Sequence, residues 1–534
     1  MRRRTFLQLA AGAAAGGIVA SNRWARAATV AGDPDATLVI GTNLRINTLD
    51  PARTASNFTW TFVAASYDRL VSFGGDPAAP RPSLAESWTV SADGRTYTFR
   101  LRPSVRFASG NPLTSKDVKW SLDRLMNVKD VTQYFVQAIE TVAAPDPLTV
   151  VIRLSTPQPA FLAIVASPVL GVIDSTAAVA VGGDAGPDAQ AKDRAQSYLN
   201  RHSLGSGPFV LTQYIPDQEV RLARNPLYWR GMAGVARIIV RHVPEQGSEQ
   251  LQVERGDLDL VTAIGADQLQ PLRRNASVSV GSNLVDGTYY VVMNNDPAVG
   301  GAFTVPRVQQ AVRYALDYPG ILRLAGPGSR RLAGVIPTGL AGCLDPAEAV
   351  RRDLTKARAL LREANLPEVR GRLTYSGSMT AWGVRIALLA QKIQSDLAEA
   401  GIRIELNGLG HASAMQEYMA GKSQLGVWYW VADWLDATDF LVFLPGRAVG
   451  RWAGWKPEAT PDAAALAALG RQAEQELDPG RRAMMLREYD RGLMKYGPYV
   501  PLFQPAIPYA FRSNLQHVNF DGLGLLDLYA ISER

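Results

Sequence analysis

The densest run of side chains able to do chemistry is Val427-Trp428-Tyr429-Trp430-Val431-Ala432-Asp433-Trp434, and five of the 11 tryptophans fall between residues 428 and 455. Indole rings offer a large contact area and a single donor, which suits a pocket that opens and closes. In a strand, Trp428 and Trp430 share one face and Tyr429 takes the other, so only one set can face a ligand. Asp433 follows an apolar strand and opens a loop, a common place for ligand contacts in α/β folds. In a dry cleft its carboxylate would pair a ligand's ammonium. Trp430 or Trp434 would add a cation–π contact worth roughly 0.5–2 kcal/mol. Asp436 and Asp439 share the loop and read as a helix cap or surface ion pairs.

Patterns for bond-breaking chemistry are missing. The four histidines, His202, His242, His411 and His517, form no H-E-x-x-H, and the single Cys343 excludes both C-x-x-C and an internal disulfide. No G-x-S-x-G nucleophile elbow occurs. Gly421-Lys422-Ser423 imitates the end of a phosphate loop, but Gln416 stands where that loop needs glycine, so it reads as a turn. No metal or cofactor is expected.

The elements that must position Asp433 alternate between short strands and amphipathic helices, the pattern of an α/β architecture. Strands are predicted at 37–41, 96–101, 149–154, 236–242, 402–406 and 425–431. Thr114-Ser115-Lys116-Asp117 opens a helix with a capping box, and Val118, Leu122 and Leu125 face inward. Further helices are predicted from Thr304, over 355–364, and over 381–400, the last ended by Gly401. The Ala-, Gly- and Asp-rich stretch 176–199 reads as a surface connection.

Arg2-Arg3-Arg4, the uncharged Leu7 to Ala20 and Ala25-Arg26-Ala27 form a secretory signal over residues 1–27. Arg3-Arg4-Thr5-Phe6-Leu7 resembles the twin-arginine export signal. Those 27 residues hold five Arg and no acid, so without them the formal charge drops from +7 to about +2. No basic run remains to grip phosphates, and nucleic acid is not implied. No second apolar run reaches membrane-spanning length.

Several segments, in order, resemble the large peptide, oligopeptide and nickel solute-binding proteins of bacterial ABC importers. They are Thr48-Leu49-Asp50-Pro51, Tyr67-Asp68-Arg69-Leu70-Val71, Leu84-Ala85-Glu86-Ser87-Trp88, Tyr97 to Arg102, Gly205 to Phe209, Arg224 to Trp229, Val308 to Val312, Tyr314 to Asp317, Ala432-Asp433-Trp434 and Val500 to Phe503. The resemblance implies a two-lobed periplasmic-binding-protein fold (type II, large class) with the ligand cleft between the lobes. It maps lobe I to 28–66, 200–288 and 497–534, an extra subdomain to 67–199, and lobe II to 289–496, with Gly287 and Gly497 near the crossings.

The resemblance also implies a function: a periplasmic binding component, expected to be monomeric, that closes on a peptide or amine-bearing small molecule. It would hand this ligand to ABC-importer permease subunits, touching the membrane complex only peripherally. Peptide-binding relatives hold the amino terminus on an Asp at the position of Asp433. Trp382, before a helix that carries ligand contacts in relatives, Tyr290, near a crossing, and Asn47, in an early cleft-lining segment, are further candidates. Dipeptide binders also place an Arg ahead of the helix near Ala381, and Gly377-Ser378-Met379-Thr380-Ala381-Trp382 has none. That widens the expected substrate to longer peptides, opines, sugar conjugates or other amines. An exported hydrolase or a sensor component on the same fold is the alternative.

Overall fold

A computed structural model describes residues 35–43, 46, 48–74, 79–262, 264–366 and 368–534. The predicted signal, 1–27, and Asn47 lie outside the described residues. Gly32–Arg534 forms one unit, built on two main sheets and a smaller third.

The first sheet has seven strands, in spatial order Val278–Leu284, Ala506–Arg512, Leu260–Val261, Thr37–Thr42, Arg237–His242, Glu219–Arg224 and Phe209–Ile215. Thr37–Thr42 pairs in parallel with both neighbours. Its alternation sends Leu38 and Ile40 into the core, each 1% exposed. The second sheet has six strands, in the order Arg330–Arg331, Tyr499–Gln504, Gly287–Met293, Leu425–Val431, Val369–Ser376 and Ile402–Leu409. Gly287–Met293 is buried along its whole length, as expected of a mostly apolar and aromatic strand covered on both faces. It pairs antiparallel with Leu425–Val431, setting Tyr290 opposite Trp428 and Thr288 opposite Trp430. These two sheets are the cores of lobes I and II.

The chain crosses between the sheets at Val285–Asp286, directly before Gly287, and again at Pro505, well beyond Gly497. Gly287 already belongs to the second sheet, and Tyr499–Gln504, expected in lobe I, lies beside it there. Gly497 only ends the helix Pro479–Tyr496, at an ordinary φ of −83°. Close packing is what Gly287 serves: a Cβ would lie 2.8 Å from the Trp430 carbonyl oxygen. The two crossings are bonded to each other. Val285 N–H donates to the Pro505 carbonyl, and Gln504 Nε2 donates to the Val285 carbonyl, both at 3.0 Å.

The third sheet, Ala85–Val90, Thr96–Leu101, Thr149–Leu154 and Ile139–Asp146, packs under the helix Ser115–Val128. The capping box forms as predicted, with Thr114 N–H 2.9 Å from Asp117 Oδ2, and Val118, Leu122 and Leu125 are buried. The stretch 176–199 differs from the predicted surface connection. It folds into the short helices Ser175–Ala180, Ala189–Lys192 and Gln196–Leu199, and it sends Asp193 inward. There the fully buried Arg124 donates to Asp50 at 2.8 and 2.6 Å and to Asp193 at 3.0 and 2.9 Å. Arg53 joins from Asp193, at 3.1 Å, to Asp130, at 2.7 Å.

The helix predicted from Ala381 begins at Ile386. Its expected first turn is instead a hairpin, Thr380–Ala381 against Val384–Arg385. Trp382 and Gly383, at φ +50° and +76°, make its two-residue turn, the backbone a type I′ turn demands.

Candidate functional site

Leu425–Val431 is an inner strand of the second sheet, and the chain just past its C-terminal end is pinned from both sides. Ala432 N–H donates to the carbonyl of Asp286 at the lobe crossing (2.7 Å). Its own carbonyl accepts from Asn57 Nδ2 of lobe I (3.2 Å). Ser167 Oγ donates to the Asp433 carbonyl (2.8 Å). The Asp433 side chain therefore sits where lobe II, lobe I and the subdomain meet.

Asp433 is 8% exposed and Asp439 is fully buried. Tyr134, from the subdomain, donates its hydroxyl to Asp433 Oδ2 at 2.6 Å. Asp439 Oδ2 accepts from Trp430 Nε1 (2.8 Å) and from Asp433 N–H (3.2 Å), while Asp439 Oδ1 has no partner. Trp434 packs edge-on against Phe135, ring centres 5.6 Å apart, and lies 6.3 Å from Tyr134. Among the described residues no Lys, Arg or His pairs with Asp433 or Asp439; Arg482, the nearby cation, binds Asp436 instead. Burial pushes the Asp433 carboxyl up to about 7 against the opposing bond from Tyr134. Burial, and then the Asp433 charge, drive Asp439 well above the carboxylate range. Tyr134 keeps 37% of its surface exposed, while its hydroxyl is held on Asp433. Burial and the Asp433 charge hold that phenol well above its ordinary value, so it stays a donor. The arrangement is a pair of buried carboxyl groups with no paired cation among the described residues, beside the side chains of Tyr134, Trp430 and Trp434.

The model of the bacterial extracellular solute-binding proteins, family 5 (middle), matches residues 79–449. The chain belongs to this family. A probable D,D-dipeptide-binding periplasmic protein of Escherichia coli K12, DdpA, is 30% identical over 415 residues, 76% of this chain and 77% of that one. Di/tripeptide-binding protein 2 of Pseudomonas aeruginosa UCBPP-PA14 is 27% identical over 508 residues, 90% and 91% of the two chains. The crystal structure of a dipeptide-binding protein from Pseudoalteromonas sp. SM9913 with Met-Leu superposes with a TM-score of 0.81 at 19% identity, covering 93% of this chain and all (100%) of that one. The two-lobed periplasmic-binding-protein fold is thereby established, and with it a solute-binding role.

Within this solute-binding protein the residues singled out from the sequence separate into three groups. Asp433, Trp430 and Trp434 come together in the site just described. Trp428 and Tyr290 lie in the packed interior behind it. Trp428 stacks on Tyr418 at 4.7 Å and 11°, and lies so close over Gly426 that a Cβ there would be 2.3 Å from its Nε1. Tyr290 is 1% exposed, with its hydroxyl 3.1 Å from that of Tyr418. Trp382 is carried by the hairpin tip to the other face of the sheet. It rests on Gly524 of lobe I, and its Nε1 is buried without a partner. Beside it, Arg385 reaches Asp267 of lobe I at 2.8 Å.

Tyr134 and Asp439 were not legible as site residues. Tyr134 lies 299 positions from Asp433 in a 3₁₀ turn that carries no motif. Asp439, expected as a cap or surface ion pair, is buried with neither role, because the 3₁₀ turn Ala437–Phe443 rolls it under Trp430. Asp436 is the residue that caps, accepting from Thr438 N–H at 2.9 Å. Among the described residues no cluster of His, Cys, Asp or Glu could hold a metal ion, and no helix is long and apolar enough to cross a membrane.

Proposed function

We propose that this protein is the periplasmic receptor of an ABC importer. On this reading residues 1–27 export it, by the twin-arginine route, and it acts as a monomer that touches the membrane complex only through the permease subunits. It binds a peptide or peptide-like molecule bearing a free amine, and its lobes close over the ligand. The observation that carries this reading is Asp433, a desolvated carboxylate with no cation of its own at the junction of both lobes and the subdomain. A buried ammonium requires a paired charge, and a charge-assisted bond to this carboxylate supplies it. Trp430 and Trp434 offer ring faces beside it. With no Arg in the Gly377–Trp382 segment, the far end of the ligand is not held there by a guanidinium–carboxylate fork, so an amine is the required feature and a carboxylate at that end is not. Names of relatives point the same way, since they include binders of dipeptides and tripeptides.

Contacts made by one molecule with both lobes favour the closed arrangement and shift the population toward it. The test is a thermal-shift panel of Met-Leu, D-alanyl-D-alanine, glutathione, an opine and their N-acetylated forms. A true ligand at 100 times its Kd adds about 2.7 kcal/mol to stability. We expect at least one free-amine compound to raise Tm and its N-acetylated form to fail. Equal shifts from both forms would remove the amine from the reading. Turnover of a probe without a stable shift would favour a hydrolase on this fold.

A further inference from the structure

The Asp433 site contains a second carboxylate that ligand pairing does not account for. Asp439 is completely buried, and both of the N–H groups that reach it end on the same oxygen, Oδ2. Oδ1 faces no donor. The groups around it offer no compensation. From its own turn comes Asp436, an anion whose charge is already taken by Arg482. The preceding loop and strand bring Asp433 and the Trp430 indole, and the subdomain brings Tyr134, whose hydroxyl is bonded to Asp433. Thus the charged or titratable groups facing Asp439 are two further carboxyls, a phenol and, beyond Asp436, one guanidinium that is paired. Two adjacent ionised carboxylates in a dry site without a cation repel each other and lose their hydration together.

We propose that Asp439 is a positioning residue that stays in its neutral acid form, carrying its proton on Oδ1. In that form it aligns Asp433 and Trp430 through Oδ2 while leaving Asp433 as the single charge offered to a ligand amine. The inference rests on the reading of Asp433 as the ligand anchor, but half of its content, the protonation state, does not need any ligand. A neutral acid fits the pattern at the two oxygens: the carbonyl-type Oδ2 accepts both N–H groups, and Oδ1, which no donor reaches, is the oxygen left to carry the proton. An asparagine has the same shape, with its amide oxygen in place of Oδ2 and its NH₂ in place of Oδ1. It is therefore the mimic of the proposed state, and alanine is its loss.

The experiment compares the mature chain with Asp439→Asn and Asp439→Ala. Infrared difference spectra of wild type minus Asp439→Asn, taken without ligand at pH 7.5, should show a protonated-carboxyl stretch that wild type has and the variant lacks. A carboxylate stretch in its place would overturn the proposal. Met-Leu serves as the binding probe, or D-alanyl-D-alanine if it gives the larger thermal shift. Asp439→Asn should bind it within about threefold of wild type, whereas Asp439→Ala should lose at least tenfold. Equal losses in the two variants would also overturn the proposal. If neither probe binds wild type, the panel compound with the largest thermal shift takes their place, and the infrared comparison decides the protonation state of Asp439 without any ligand.

Discussion

Replacing Asp433 by Asn keeps the shape of the side chain and its bond from Tyr134 while removing the charge. Its consequence can be worked from the burial. The carboxyl titrates near 7, against about 3.9 for a solvated aspartate. At 1.36 kcal/mol per pH unit, keeping it ionised in the empty site costs roughly 4 kcal/mol. An ammonium about 3 Å away gains about 5 kcal/mol at an effective dielectric near 20, less its own desolvation. Truncating such a pair typically costs about 2–4 kcal/mol, or about 30- to 700-fold in Kd. The sign with pH follows. Below 7 the empty site holds a proton that a cationic ligand must displace, so affinity rises about tenfold per pH unit up to about 7. Above about 8 a peptide's α-amine loses its own proton and affinity falls again. Isothermal titration of wild type and Asp433→Asn with Met-Leu between pH 5.5 and 9 should give a peaked profile for wild type. The variant should give a weak one without the rise below 7. Binding by the variant within about threefold, or a flat wild-type profile, refutes the assignment of Asp433 as the amine anchor.

Two predictions concern stability. Arg124→Ala leaves Asp50 and Asp193 buried without their cation, so it should destabilise the ligand-free protein by about 3–5 kcal/mol in urea unfolding; a change under 1 kcal/mol would show the cluster relaxes freely. Burial pushes Asp286 and Asp490 up to about 7 and Asp521 to about 6. Each therefore contributes stability that is fully present below the unfolded value near 4 and lost as pH rises through 6–7. The Tm of the ligand-free protein should fall between pH 5 and pH 8, and Asp286→Asn should recover part of that loss at pH 8.

The local grammar of the chain was open to reading because it depends on neighbours in sequence. Period-two alternation marked Thr96–Leu101 and Thr149–Leu154. The Thr114–Asp117 capping box started a helix where expected, and Gly401, at φ +96°, ended another. Ordered signature segments carried the family, and with it the two-lobed fold. Where local signals were ambiguous, tertiary pairing decided. Ala381 and Val384 are buried at i, i+3, a spacing that suits a helix, yet Trp382-Gly383 turns the chain into a hairpin that leans on lobe I. Both crossings fall at Val285–Asp286 and Pro505 because strand pairing, not glycine, marks where one sheet ends. The exposed-looking acids Asp193 and Asp439 were misread for one reason: a carboxylate's burial is set by what folds over it, and the donors that meet them, Arg124 on Asp193 and the Trp430 indole on Asp439, are placed there by the fold. The sequence alone therefore determined the family and several of its strands and helices, and it singled out Asp433. Only the tertiary structure decided that this acid stands without a cation beside a second buried carboxyl, because the electrostatics of a site are a property of its enclosure.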